Sequence, residues 1–354
     1  MMLDFNDAEQ LKNFLKRDKH KLLEGLVVED LFMRDVILTQ RWETWISTGW
    51  WAINNTMKSS DYILFHVTDT PPSANDINIY KTLFIKQIVV YHVILYNNSL
   101  YFLEINENIL RQPINNKDYI HESAFLSKNQ LIPKNSVHIA QAETRDPFSQ
   151  YRAIAYFERH DILKEVALQR YFANYFLTVH FEGSIINIDS LMNFSDGLVA
   201  FEIKYKYPDR KGEYGINKGQ SNLFQWLIKF EINIHHYIAQ NPSHNKEIGI
   251  FELLTSQKLK SNFHWENIRL DKDELNGTVS IAPQETSIDG NKFVKFRSIE
   301  AKKFKSTIFP VANEVDTSWI PLKKCPKCNH DKIVKKGKYG YFMGCSNYRE
   351  CNNS

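Results

Sequence analysis

Four cysteines, Cys325, Cys328, Cys345 and Cys351, fall within a short C-terminal stretch, and the 324 residues before them contain none. The pattern is C-x2-C, sixteen residues, then C-x5-C. Two close pairs separated by a hairpin-length spacer suit four thiolates around one tetrahedral zinc. A segment this small cannot bury a core, so metal binding would supply its folding energy. Disulfides are the competing pairing and are disfavoured in a reducing compartment. Four thiolates leave no open coordination position, so the expected zinc is structural.

The charge distribution adds to this. The chain of 354 residues has a formal net charge of +3. Residues 323–354 carry eight bases and two acids, or +6, which leaves −3 on residues 1–322. A basic appendage on a slightly acidic body suggests a polyanionic partner, against the plainer alternative of a solvated tail. No run of eighteen uncharged apolar residues exists, so no membrane span is expected. The opening Met-Met-Leu-Asp-Phe-Asn-Asp carries acids where a signal peptide needs bases, so the expected location is cytoplasmic.

Between the cysteines the sequence reads Cys325-Pro326-Lys327-Cys328, then Gly-rich Lys336 to Gly344, then Cys345-Ser346-Asn347-Tyr348-Arg349-Glu350-Cys351. Over about 30 residues this resembles the C-terminal zinc ribbons of type IA topoisomerases, with Asn329 at a usual Gly and Arg349 at a usual Pro. The resemblance implies single-stranded DNA binding. Tyr339, Tyr341, Phe342 and Tyr348, interleaved with lysines, suit base stacking and phosphate tracking. Half of these rings are expected in a mini-core instead, Phe342 and Tyr348 foremost.

Upstream, residues 1 to about 45 read as helical around Leu11, Phe14, Leu15, Leu22 and Leu26. Strands are expected at Tyr62–Val67, Leu83–Tyr96 and Ser99–Ile105, with a hairpin turn at Tyr96 to Ser99. Trp42, Trp45, Trp50 and Trp51 read as packing residues. A polar stretch at 110–150, broken by Pro113, Pro133 and Pro147, places a boundary near 145. Ser149 to Leu177 is helical in pattern. A hairpin follows, Ser184–Asp189 and Leu198–Tyr205, then a Gly- and Lys-rich loop and a helix from Gln220 to Phe230. Ile232–Gln240 and Ile248–Leu254 read as strands, and 306–322 as a connector. No internal repeat is evident.

Asp189 ends the first strand of that hairpin, while Glu202 and Lys204 share a face of the second, since positions i and i+2 of a strand point the same way. Two carboxylates are hard ligands for Mg2+ or Mn2+, and a neighbouring ammonium can stabilise charge developing on a phosphate. An exposed strand face would give the same alternation with Phe201, Ile203 and Tyr205. Asp196 competes with Asp189 but sits in a turn dipeptide with Gly197. His235 and His236 read as ordinary strand histidines. Lys206, Arg210, Lys211 and Lys218 are either phosphate contacts or a solvated loop.

The segment from 150 to 255 resembles the PD-(D/E)xK nuclease superfamily. The resemblance implies that Asp189 and Glu202 bind the metal and that Lys204 is the catalytic lysine. It places Glu165 as an additional acid, preferred over Glu158, and Gln220 as a supporting residue. Ile188 stands where the motif has Pro. The implied fold is α/β, a restriction-endonuclease-like mixed sheet flanked by helices. The expected domains are an α+β domain at 1–145, a nuclease domain at 146–310, a linker at 311–322 and the ribbon at 323–354. The implied function is metal-dependent hydrolysis of DNA, favoured over RNA, in restriction or defence against foreign DNA. The N-terminal domain is left to sense a DNA sequence, a partner protein or an inhibitor. The competing readings are a non-catalytic nucleic-acid-binding protein, or an accessory subunit, that works through its ribbon.

Overall fold

The computed structural model describes residues 3–38, 45–54, 62–134, 146–194, 197–207, 213–243, 245, 247–270, 284–285, 292–297, 309–310 and 316–351. The strands are β1 Ile46–Asn54, β2 Tyr62–Thr68, β3 Val90–Tyr96, β4 Ser99–Glu104, β5 Ile120–His121, β6 Ile185–Phe194, β7 Gly197–Lys206, β8 Glu213–Asn217, β9 Asn233–Gln240, β10 His264–Leu270, β11 Gln284–Glu285, β12 Lys292–Arg297, β13 Phe309–Pro310, β14 Lys332–Gly337 and β15 Gly340–Cys345. The helices are α1 Ala8–Leu15, α2 His20–Phe32, α3 Ala74–Ile85, α4 Glu107–Leu110, α5 Glu122–Lys128, α6 Pro147–Arg159, α7 Leu163–Tyr171, α8 Thr178–His180, α9 Lys218–Lys229, α10 Ile250–Thr255, α11 Gln257–Lys260 and α12 Tyr348–Cys351. Local chemistry starts them. Asp7 caps α1 through the Glu9 and Gln10 N–H groups, Ser73 and Asp76 form a capping box on α3, and Asp146 caps α6 ahead of Pro147.

Ten strands form one mixed sheet in the order β13-β10-β9-β7-β6-β1-β2-β3-β4-β5. Pairing is antiparallel except for β2 with β3 and β7 with β9, where α3 and α9 make the crossovers. One face is covered by an apolar core that includes Leu23, Val27, Phe157, Leu168, Phe172 and Phe201. The other is covered by Tyr80, Leu83, Leu223, Phe224, Leu227 and Ile238. The protein is therefore a mixed α/β structure, a sheet between helical layers.

The boundary expected near residue 145 is not a break in the sheet, because β1 pairs with β6 along seven residue pairs. The order of elements repeats, although the sequence does not. Two helices ending in a π-helical turn, Met33–Leu38 in one case and Phe172–Leu177 in the other, precede each half. Then come an antiparallel pair, a crossover helix, a parallel partner and a further antiparallel strand: β1-β2-α3-β3-β4 and β6-β7-α9-β9-β10. The β1–β6 seam joins the halves. Topology repeats where sequence does not, which is why no period was visible.

Two strand expectations are corrected. The first part of Leu83–Tyr96 is the end of α3, whose apolar residues pack on the sheet. Ile248–Leu254 contains α10, whose first turn is held by Glu252 accepting the Gly249 N–H. A short apolar run fits a buried helix as well as a strand. Asp196 and residues 311–315 lie outside the described residues. At 316–322 the connector is anchored to the body, with Ile320 buried and Arg159 paired to Asp316 at 2.8 Å.

Candidate active site and nucleic-acid interface

The Asp189 neighbourhood begins with an irregularity in the sheet. The β1–β6 register pairs Thr48 with Ser190 and Trp50 with Ile188, which sets Gly49 against Asp189. Gly49 has φ +84, and a Cβ there would lie 2.5 Å from the Val67 carbonyl, so only glycine fits. Side-chain alternation slips at this point, since Ile186, Ile188 and Leu191 all join one core. The β6–β7 ladder begins at Ser190 and Phe201. Beyond it the Asp189 carboxylate takes over, accepting the Ile203 N–H at 2.6 Å and the Asn187 amide at 2.8 Å.

Lys204 joins the two acids. Its Nζ lies 2.7 Å from Glu202 Oε1 and 3.3 Å from Asp189 Oδ2. The Gln220 amide, in the first turn of α9, also donates to Glu202 Oε1. The turn itself is fixed by Asn217, whose side chain accepts the Gln220 N–H at 2.7 Å. Asp189, Glu202, Lys204 and Gln220 are thus brought together from three elements. Burial, and then the Asp189 charge, raise Glu202 to about 7 despite Lys204. Burial works against the charge on Lys204, but Asp189 and Glu202 outweigh it and keep the ammonium protonated. Lys206, beside them, is lowered to about 8 by burial and by the Lys204 charge, and donates to the Gly215 carbonyl.

Glu165 is not part of that cluster. It stands at the open rim of a cavity of about 520 Å3 and is met by the Thr48 hydroxyl at 3.4 Å. Its competitor Glu158 is farther off, ion-paired to Lys12 at 2.6 Å. The acid that sequence reasoning missed is Glu29. It projects from α2 into the same cavity as Asp189 and Lys204. Burial, then the Asp189 charge, raise its carboxyl well above the usual range, with Lys204 opposing. The available signal was the i, i+4 stripe Lys21–Gly25–Glu29, which a linear search for D-x12-E-x-K passes over. His236 is buried behind the site, its Nδ1 2.9 Å from the Glu202 carbonyl, as an ordinary strand histidine would be.

The donor set fits a hard divalent ion. Asp189 and Glu202 offer carboxylate oxygens, and Glu202 Oε2 is buried with no hydrogen-bond partner. Mg2+ is commonly held by one or two carboxylates plus waters and substrate phosphate.

The four cysteines form a separate centre. Their Sγ atoms all lie within 4.8 Å of one another, with 3.6 Å between Cys325 and Cys351 and 3.3 Å between Cys328 and Cys345. These distances exceed a disulfide bond and approach the roughly 3.8 Å edge of a tetrahedron with Zn–S bonds of about 2.3 Å. Asn329 has φ +56 and closes the knuckle by donating its N–H to the Cys325 carbonyl. That left-handed position explains a Gly-or-Asn choice there. β14 and β15 pair from Lys332↔Cys345 to Gly337↔Gly340. The topoisomerase DNA-binding C4 zinc finger family matches residues 322–354.

Residues 322–354 are a topoisomerase-type C4 zinc ribbon. An uncharacterized protein of Escherichia coli (strain K12), YrdD, is 38% identical over 47 residues, 13% of this chain and 22% of that protein. The chain thus spans about a fifth of that relative's length. No solved structure matches the chain. One face of the ribbon is docked on the body, with Val334, Tyr341 and Met343 packed on the large core. Lys323 reaches Asp146 at 2.8 Å. The opposite face presents Lys335 beside Phe342, with the Lys335 ammonium 5.5 Å from the centre of the Tyr348 ring. The expected mini-core role of Phe342 and Tyr348 is therefore corrected. Both rings are exposed, as is Tyr339, and Phe342 lies across Gly337 and Gly344. Tyr341 is the ring that packs inward. This basic, aromatic face points to nucleic-acid binding. Among the described residues, no helix is long and apolar enough to cross a membrane.

Proposed function

We propose that the protein is a metal-dependent nuclease that hydrolyses phosphodiester bonds of DNA. The observation that carries this is the meeting of Asp189, Glu202 and Lys204 where β6 and β7 part, with Gln220 supporting Glu202. The order helix, hairpin, helix, strand around them supports kinship with restriction-endonuclease-like folds. Asp189 and Glu202 would hold Mg2+ or Mn2+, with Glu29 lining the same cavity as Asp189. Such an ion, when bound, would neutralise phosphate charge and lower the pKa of a water. Lys204, held protonated, would place positive charge beside the phosphate and orient the attacking water. Gln220 fixes the Glu202 carboxylate, and Asn187 fixes that of Asp189. Glu165, at the rim, would meet the substrate rather than the ion.

The ribbon supports nucleic acid as substrate, and restriction or defence against foreign DNA is the setting implied by the resemblance. The test is cleavage of single- and double-stranded DNA and of RNA with Mg2+, comparing wild type with Asp189→Ala. The proposal expects metal-dependent DNA cleavage that the substitution reduces by at least about a thousandfold. Equal activity in the variant sinks the site assignment, and absence of cleavage sinks the enzyme.

A further inference from the structure

We infer that the catalytic cleft admits one unpaired strand, and that Gly25 of α2 is the notch through which that strand passes. The inference rests on the nuclease proposal above and names its substrate class.

Asp189 and Lys204 form the floor of the 520 Å3 cavity. Its walls are two helices, α2 through Lys21, Gly25 and Glu29, and α7 through Glu165, Gln169 and Arg170. Asp189 is only 7% exposed, so its carboxylate lies beneath the helical layer, and the fully buried Glu202, outside the cavity lining, is joined to it through Lys204. A helix with its side chains is about 10–12 Å across. A phosphate held in an intact duplex stays on the outside of a wide cylinder that two flanking helices would hold off. An unpaired strand can leave that cylinder and descend between them.

The cavity lining suits such a strand. Leu22, Leu26, Met33, Trp51, Ile162 and Val166 give apolar surface for an unstacked base, above a charged floor. Gly25 makes the room. It sits in the middle of a thirteen-residue helix, where glycine is unfavourable relative to alanine. No packing demands it, since a Cβ at Gly25 would meet nothing within 4 Å. Its φ is not in the left-handed region either. It lies one turn before Glu29 on the cavity-facing stripe, so the missing side chain leaves a gap between Lys21 and the carboxylates.

The repeat points the same way. In the first half the crossover-helix cap Ser73 and Asp76 correspond to Asn217 and Gln220, and the paired His66 and His92 correspond to Glu202 and His236. That position is closed. His66 and His92 are buried, with His66 stacked on Trp50 and bonded to the Tyr80 hydroxyl. Among the described residues, this second position therefore offers no open centre.

The experiment measures Mg2+-dependent cleavage by the full-length zinc-loaded protein of three end-labelled DNAs. They are a single-stranded oligonucleotide, the same sequence as a blunt duplex, and the duplex with a single-stranded overhang. Gly25→Ala and Gly25→Phe are compared with wild type, with melting temperature read for each. The expected result is cleavage of the single strand and the overhang at least tenfold faster than of the blunt duplex. Gly25→Phe should cut the single strand at least tenfold more slowly than wild type at saturating enzyme. Gly25→Ala should melt higher than wild type, showing that no fold requirement maintains the glycine. A blunt duplex cleaved as fast as the single strand overturns the inference and leaves the nuclease standing, and so does a folded Gly25→Phe that cleaves normally. A Gly25→Phe protein that does not fold leaves the three-substrate comparison to decide. Absence of cleavage by wild type removes both.

Discussion

Replacing Glu202 with glutamine should stabilise the protein while disabling it. Glu202 is fully buried, and its carboxyl is raised from 4.5 to about 7 by burial and by the Asp189 charge. Between these values the unfolded chain ionises the group while the folded chain keeps its proton. Wild type therefore loses stability as pH rises from 4.5 through 7 and stays at that lower level above it. At about 1.4 kcal/mol per pH unit, the loss is on the order of 3 kcal/mol. Glutamine has no proton to lose. Its amide oxygen can still accept from Lys204 and Gln220. Its NH2 would sit where Oε2 has no partner, but the O–H of the protonated acid meets the same environment, so that cost largely cancels. The assay is urea unfolding followed by tryptophan fluorescence, in magnesium-free buffer at pH 5 and pH 8. Glu202→Gln should exceed wild type by about 1 kcal/mol at pH 5, where the loss has only begun, and by on the order of 3 kcal/mol at pH 8. A variant less stable than wild type at pH 8 refutes the reasoning, because it would mean that pairing with Lys204 outweighs desolvation of the carboxylate.

The ribbon supplies two further predictions. Phe342→Ala should weaken single-stranded DNA binding by about tenfold, the loss of one stacking platform worth roughly 1–3 kcal/mol, while the zinc content stays at one per chain because the ring is not a ligand. Lys335→Ala should instead flatten the dependence of log K on log salt by about 0.7. Anisotropy titrations at several salt concentrations separate the two. Metal analysis should find one zinc per chain. Chelation should abolish ribbon-mediated DNA binding while leaving most of the far-UV circular dichroism, because the large sheet is built without the cysteines.

Local chemistry made some of this structure legible in the sequence. Cysteine spacing locates the zinc ligands because four thiolates have few other ways to be arranged. Alternation with Phe201, Ile203 and Tyr205 locates β7, and with it Glu202 and Lys204 on a shared face, whereas β6 runs on to Phe194, past its expected end at Asp189. Asp189 was reached only by assuming a regular hairpin, whereas its carboxylate is placed by the irregularity at Gly49. Glu29 was hidden because it lies 160 positions from Asp189 and is brought to it by tertiary packing of α2. The sheet that runs through residue 145 was hidden for a related reason. A polar, proline-broken stretch looks the same whether it links two domains or leads the chain back to its own sheet. Phe342 and Tyr348 were misassigned because apolar character alone does not say which ribbon face docks on the body.

The central claim is that the carboxylates and Lys204 cleave DNA, and single-turnover cleavage by Lys204→Ala tests it most directly. Enzyme in excess over labelled single-stranded DNA, with Mg2+ and with binding verified in the same samples, isolates the chemical step. The account predicts unchanged binding through the ribbon and a cleavage rate at least about a hundredfold lower than wild type. Cleavage by Lys204→Ala at the wild-type rate would contradict it.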